Sequence, residues 1–348
     1  MKQELFRKKP ERNPMPASWT RRKFLKVLSY FGIASMPGVY FLRSGRKKEP
    51  KVKVFIASIN DYNTDIRHHI LRGFQELGIT SSDVKGKRIL LKPNIVEPNS
   101  GHSHISTHPF VIRATIEAFL FLGANKVVVA EGSGHQQDFF LLLEESGVID
   151  VLYEDRIPFV DLNTSPFLMV KNLGKFSNIE TLFLPQEIIK ADLVVSLAKM
   201  KTHHWAGATL SMKNMFGVMP GIIYGWPKNF LHCTGIHESI LDINATVKPH
   251  LAIIDGIVGM EGDGPIMGTS VQANVLVMGK NLPAVDATSA RIMGINPNKI
   301  PYLRCASGRL GAIREPNIIQ LGETIFSVRK TFQLIDYIPA HRGLRLRL

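Results

Sequence analysis

Short β-branched runs alternate along this chain with segments of helical period. This constrains the fold most, because the gaps between strands are long enough for a crossover helix. Val52–Ser58 reads as a strand. Thr64 is placed to cap a helix that carries Ile66, Ile70, Phe74 and Leu77 on one face and stops at Gly78. Arg88–Val96 is a second strand, Pro109 opens a helix over Phe110–Leu122 closed by Gly123, and Lys126–Ala130 is a third strand. This βαβαβ order predicts an α/β fold, a mostly parallel or mixed sheet with flanking helices, in one lobe or two. A helix near Asp138–Glu145 and weaker strands at Pro158–Leu162, Phe167–Val170 and Thr181–Leu184 follow. The clearer pattern resumes with strands at Asp192–Lys199, His250–Asp255 and Val275–Met278, and with helices at Glu238–Val247 and Leu282–Met293.

The formal charge is +14, and where it lies decides what it means. Residues 1–50 hold 13 Lys/Arg against 3 Asp/Glu, whereas residues 51–328 hold 25 of each. A domain so balanced has no excess with which to track a phosphate backbone, so nucleic acid is not an expected partner. Residues 329–348 form a basic tail, expected to be peripheral, and its alternating Leu and Arg at Leu344–Leu348 would suit a lipid surface. The chain therefore divides into a basic segment over 1–50, an α/β domain over 51–328 and a tail.

Within the first segment, Thr20-Arg21-Arg22-Lys23-Phe24-Leu25-Lys26 precedes a largely apolar run from Val27 to Leu42. The seven residues resemble the twin-arginine translocation consensus at every position. The resemblance implies a twin-arginine translocase as partner and a periplasmic location or one on the outer face of the inner membrane. With Gly32, Pro37 and Gly38 inside it, the run is marginal as a membrane anchor, and cleavage and retention both remain open. Only Cys233 and Cys305 are present, outside any CxxC spacing, which argues against an iron–sulfur cluster and favours two separate thiols.

In an α/β sheet, ligands bind where strands end. Four such places carry chemistry. Lys92-Pro93-Asn94 leads to Thr107-His108-Pro109 at a helix start, where a carboxylate or phosphate could be received, although Thr107 and Pro109 also suit plain capping. Glu131-Gly132-Ser133-Gly134-His135 offers a Gly-rich turn with an acid and a histidine. Lys199-Met200-Lys201-Thr202-His203-His204, followed by Lys213 and Asn214, is the densest basic group of the neutral domain and reads as an anion pocket or a solvated rim. The Gly-rich loop from Asp255 through Glu261 and Asp263, with Asp286 beyond, offers oxygen ligands to a hard cation, or is ordinary turn chemistry.

Together these motifs resemble the family known as domain of unknown function 362, across nearly all of residues 52–305. The resemblance rests on Lys92-Pro93-Asn94, Thr107-His108-Pro109, Glu131-Gly132-Ser133-Gly134, Ala198 to His203, Lys213 to Gly217, the loop from Asp255 to Gly264, and Ala284-Val285-Asp286. Members often carry an appended ferredoxin-like cluster domain, and this chain departs from them by lacking its cysteines. The resemblance supplies no reaction.

The residues themselves suggest an enzyme for a small anionic substrate, carboxylate or phosphate, with or without a divalent metal. Lys92, Asn94, Lys199, Lys213 and Asn214 would bind it, and His203, His237, Lys201 and Glu131 would form the catalytic set. Asp255, Glu261, Asp263 and Asp286 would hold metal. Replacing Lys201 or Asp255 by Ala is expected to abolish function and leave the fold intact. The other open reading is a non-catalytic periplasmic ligand-binding or redox-complex accessory protein.

Overall fold

A computed structural model describes residues 51–98, 100–136 and 138–347. The expected signal and its apolar run lie outside these residues. Strand β1 (Val52–Ser58) places Val54 and Ile56 on one side and Phe55 and Ala57 on the other, all buried. Helix α1 (Ile66–Glu76) follows, capped by Asp65 and not by Thr64: the Asp65 carboxylate accepts from the His68 N–H. Then come β2 (Arg88–Lys92), α2 (Pro109–Phe121), β3 (Lys126–Glu131), and the shorter β4 (Phe159–Asp161), β5 (Phe167–Lys171) and β6 (Thr181–Pro185).

The second half holds β7 (Leu193–His203), β8 (Gly207–Thr209), the one-turn helix α3 (Ser211–Asn214) and α4 (Asn229–Val247), which is kinked at Gly235. Strands β9 (Leu251–Glu261) and β10 (Thr269–Gly279), helix α5 (Leu282–Ile292) and strand β11 (Ile318–Gly322) complete the described elements that matter here. Strands β7 and β9 run several residues beyond the apolar stretches that marked them, since these further residues are nearly all buried too, whereas β10 starts earlier with Thr269, Ser270 and Gln272 exposed, held there by its pairing with β9.

These strands form a nine-stranded sheet in the order β11-β1-β10-β9-β7-β2-β3-β4, with β8 on β7, while β5 and β6 form a separate hairpin. Pairs β1/β11, β7/β9, β2/β7, β2/β3 and β3/β4 are parallel, and β10 is antiparallel to both neighbours. Both faces are covered, as a sheet rich in parallel pairs requires. On one, Ile66, Ile70 and Phe74 of α1 and Val111, Ile112 and Ile116 of α2 pack on Phe55, Leu91 and Val195. On the other, α5 and α4 cover Val54, Val194, Ile254 and Val277. The described residues fall in a single unit, Glu49–Leu348, so one lobe forms and not two. Among them, no helix is long and apolar enough to cross a membrane.

The tail departs from its expected peripheral place. Phe332, His341 and Leu344 are buried. Lys330 and Phe332 donate to the carbonyls of Ile292 and Met293, and Ile295 bridges Arg345. Apolar burial and backbone pairing thus make residues 329–347 part of the domain, and Leu344 is unavailable to a lipid surface. Cys233 and Cys305 are exposed and unpaired.

Candidate active site

Strands β2, β3 and β4 run out to one side of the sheet and β7 and β9 to the other, so the order reverses between β2 and β7. A crevice opens at the carboxyl ends of strands at such a point. Here it is a cavity of about 400 Å³. Lys92 ends β2, Glu131 ends β3, and Lys201 and His203 lie in the last three residues of the long β7. Lys213 and Asn214 arrive on α3, and Lys228 and His232 at the start of α4. All eight line the cavity, with Asn94, and Trp205, Phe216, Ile266 and Met267 supply apolar wall.

Lys92 and Glu131 form the floor. The Lys92 ammonium donates to Glu131 (2.9 Å), Asn214 Oδ1 (2.9 Å) and the carbonyl of Pro93 (2.8 Å). Glu131 also accepts from the N–H groups of Ile95 and Gly132, both at 2.8 Å. Burial raises the Glu131 carboxyl and lowers the Lys92 ammonium, and the contact between them opposes both shifts. The 3-10 helix Met215–Val218 carries Gly217 directly over this pair: a Cβ there would lie 2.6 Å from Glu131 Oε1 and 2.7 Å from Lys92 Nζ. Asn214 donates to the Lys92 carbonyl (3.0 Å) and to Ser196 Oγ (3.1 Å), joining α3 to β2 and β7.

Three amines at the cavity have no carboxylate partner among the described residues. Lys201 Nζ donates to the carbonyls of Ile105 (2.9 Å) and Pro265 (3.0 Å). Lys228 donates to Asn163 Oδ1. Lys213 lies over the Phe216 ring, 4.1 Å from its centroid. Burial and the neighbouring cations, chiefly Lys199 and then Lys213, hold Lys201 well below the ordinary ammonium value. The same two causes bring Lys213 to about 7, with Lys92 the foremost cation. Burial brings Lys228 to about 8. Two buried acceptors on the cavity wall, Asn94 Oδ1 and Thr209 Oγ1, have no partner among the described residues, which suits a polar occupant.

The two histidines differ in tautomer. His203 Nδ1 accepts from the N–H groups of Trp205 (3.0 Å) and Ala206 (3.2 Å), so the neutral ring carries its proton on Nε2 and is a donor. His232 Nδ1 faces the Lys228 carbonyl at 3.1 Å, which can only accept, so its Nε2 holds a lone pair. Burial, and then Lys213, lower His232 to about 4. At the rim His135 pairs with Glu97 (2.6 Å) and His204 with Asp263 (3.4 Å).

The expected single site is therefore only partly assembled. Lys92, Asn94, Glu131, Lys201, His203, Lys213, Asn214 and Asp263 meet at the cavity; Lys199, His237, Asp255, Glu261 and Asp286 do not line it. Lys199 donates to Asp255 (2.8 Å) and Tyr62 (2.8 Å), Tyr62 stacks on His108, and Asp255 also accepts from the His108 N–H (3.0 Å). Asp255 is thus an anchor for the start of α2, and Asp255→Ala, expected to spare the fold, would instead leave the Lys199 ammonium buried without its carboxylate. Glu261 holds the tail by accepting from the Gln333 N–H (2.8 Å). Asp286 accepts from the Ser211 hydroxyl and from the N–H groups of Ser211 (2.8 Å) and Met212 (3.0 Å), fixing α3.

Different structural partners thus separate the four carboxylates offered for a metal. Among the described residues no group of His, Cys, Asp or Glu is arranged to hold one. His237 lines a different depression, with Lys299, Tyr337 and Arg342. Sequence reasoning missed Lys228, His232 and Trp205. Lys228 and His232 are four apart, one turn of helix, but no strand end precedes them to draw notice.

Among known proteins, the chain is 28% identical over 243 residues to a thylakoid-associated protein of Synechocystis sp., covering 68% of this chain and 72% of that one. Two solved structures show weak likeness. A Thermotoga maritima protein has a TM-score of 0.35 at 13% identity, over 59% of this chain and 52% of its own. The lactate racemase apoprotein of Thermoanaerobacterium thermosaccharolyticum has a TM-score of 0.37 at 14% identity, over 70% of this chain and 57% of its own. This chain spans less than two thirds of either. The family model described as "Domain of unknown function (DUF362)" matches residues 89–291, more than half of the length, and the chain belongs to that family.

Proposed function

We propose that this domain is an enzyme that binds a small organic anion, carboxylate or phosphate, in the cavity at the β2/β7 crevice and moves a proton on it. One observation carries the reading. Among the described residues, the buried Lys201 and Lys228 and the half-buried Lys213 face the cavity without a carboxylate ion pair, whereas the buried Lys92 and Lys199 each have one. Uncompensated buried cations are costly, and an anionic occupant would relieve that cost. Close to 400 Å³ suits a small molecule, and the apolar wall would strengthen every charge interaction within it. His203 would then donate a hydrogen bond through Nε2–H, and His232 would accept a proton at Nε2. The Lys92–Glu131 pair would hold the floor.

Titration calorimetry with oxalate and with inorganic phosphate tests this. Binding should be accompanied by proton uptake near neutral pH, because a bound anion raises the lysine pKa values back toward the ordinary one. It should weaken at least about tenfold in Lys213→Met, the loss of one charge-assisted contact. Absence of binding by either anion would sink the reading. For the N-terminal segment we propose export by the twin-arginine route, on the strength of the seven-residue match. A folded reporter fused to residues 1–50 should reach the periplasm of a bacterium with that translocase, and Arg21→Lys with Arg22→Lys should retain it in the cytoplasm.

A further inference from the structure

An ammonium has three N–H bonds and no lone pair, whereas a neutral amine has two N–H bonds and one lone pair, so the acceptors around each buried lysine sort their roles. Lys92 meets three acceptors, Pro93 O, Glu131 and Asn214 Oδ1, which complete an ammonium. Lys199 is held by the Asp255 carboxylate and the Tyr62 hydroxyl. Lys201 is as deeply buried, yet among the described residues its acceptors are the carbonyls of Ile105 and Pro265 alone, with no carboxylate beside them. Two acceptors use both N–H bonds of a neutral amine and leave its lone pair unengaged. The residue lines the cavity beside Lys213 and His203.

We propose that Lys201 is a nucleophile that forms an imine with the carbonyl carbon of a small oxo acid, an inference that rests on the anion-binding reading above. A desolvated lysine beside other cations is the usual setting for such an amine, and its depressed proton affinity accords with this. Lys213 and Lys228 hold the carboxylate of the oxo acid. The Nζ lone pair forms the C–N bond while the carbonyl π pair moves to oxygen. The oxygen takes up one proton and the nitrogen loses one. Departure of that oxygen as water, with a second proton taken from solvent, leaves the protonated imine, so amine, ketone and one proton give iminium and water with no oxidant or reductant. The positive nitrogen acidifies the neighbouring C–H, whose proton His232 Nε2 accepts to give the enamine.

The test uses the full chain with pyruvate as probe. Sodium cyanoborohydride should reduce the imine to a stable secondary amine, and peptide mapping should place one saturable adduct on Lys201, suppressed by excess oxalate. In deuterated buffer the methyl protons of pyruvate should exchange faster than in buffer alone, and Lys201→Arg should lose both adduct and exchange. Calorimetry with oxalate on the same preparations keeps the two readings apart. Oxalate binding without an adduct on Lys201 overturns the imine and leaves the anion site standing, as does an adduct confined to Lys213 or Lys228 or scattered over surface lysines. An adduct on Lys201 without oxalate binding supports the nucleophile and removes the anion site. Should Lys201→Arg fail to fold, the wild-type peptide map alone decides.

Discussion

Glu131 stood at the end of an apolar run, and its position there was legible; its partner was not. The residue lies 39 positions from Lys92 and the two meet only because β2 and β3 are adjacent and in register. Removing one member of such a buried pair strands the other. Glu131→Gln should therefore lose about 3–5 kcal/mol of stability in urea unfolding, and Lys92→Met with Glu131→Leu should restore much of that loss. At Gly217 the crowding sets the outcome: a methyl group would meet both charged atoms of the pair. Gly217→Ala should cost about 1–3 kcal/mol and weaken oxalate binding, because the 3-10 helix Met215–Val218 must move away from the floor. A variant as stable as the parent in the same unfolding experiment would contradict this.

At the scale of elements, β7 decides most. Its sequence Leu197-Ala198-Lys199-Met200-Lys201-Thr202-His203 alternates, so Lys199, Lys201 and His203 leave one side while Ala198 and Met200 enter the core on the other. That alternation is readable in the sequence. What separates Lys199 from Lys201 is not: the ladder with β9 shifts between them, pairing Lys199 with Asp255 and Lys201 with Met260. Lys199 therefore meets a carboxylate and Lys201 does not. The start of α2 depends on the same pair, since Asp255 accepts the His108 N–H at its N-cap. Asp255→Asn should lose about 3–5 kcal/mol in thermal or urea unfolding, the cost of leaving Lys199 buried and unpaired. If Asp255 instead served the reaction alone, the variant would unfold like the parent and only lose turnover.

For the whole molecule, the unpaired amines tie stability to pH. Lys213 titrates at about 7 and Lys228 at about 8 in the folded chain, against an ordinary 10.5 once unfolded. Across that window the unfolded chain binds more protons, so stability should rise as pH increases from about 7 toward about 10, and an anion such as phosphate should flatten the slope. Asp286 acts in the opposite sense at lower pH. Burial raises it from 3.8 to about 7, so its protonated form favours the folded state and its contribution fades as pH climbs to about 7. Urea midpoints measured from about pH 5 to about pH 10 should therefore dip near neutrality and recover above it. A flat profile above pH 7 would mean that the three amines are compensated in solution.

By itself the sequence determined the fold class, most strand and helix positions and the strand ends where chemistry gathers, because period and end residues are local properties of the chain. It also located the charge and the seven residues, Thr20 to Lys26, that resemble a twin-arginine consensus. Only the tertiary structure decided which of those ends share a cavity. It placed Lys201 and Lys213 with Lys228 and His232, gave Asp255, Glu261 and Asp286 to the framework, and folded the basic tail against α5 and β9. Such assignments depend on which strands are neighbours and on a register shift in one ladder. Those are fixed by contacts between residues far apart in the chain, and no local pattern records them.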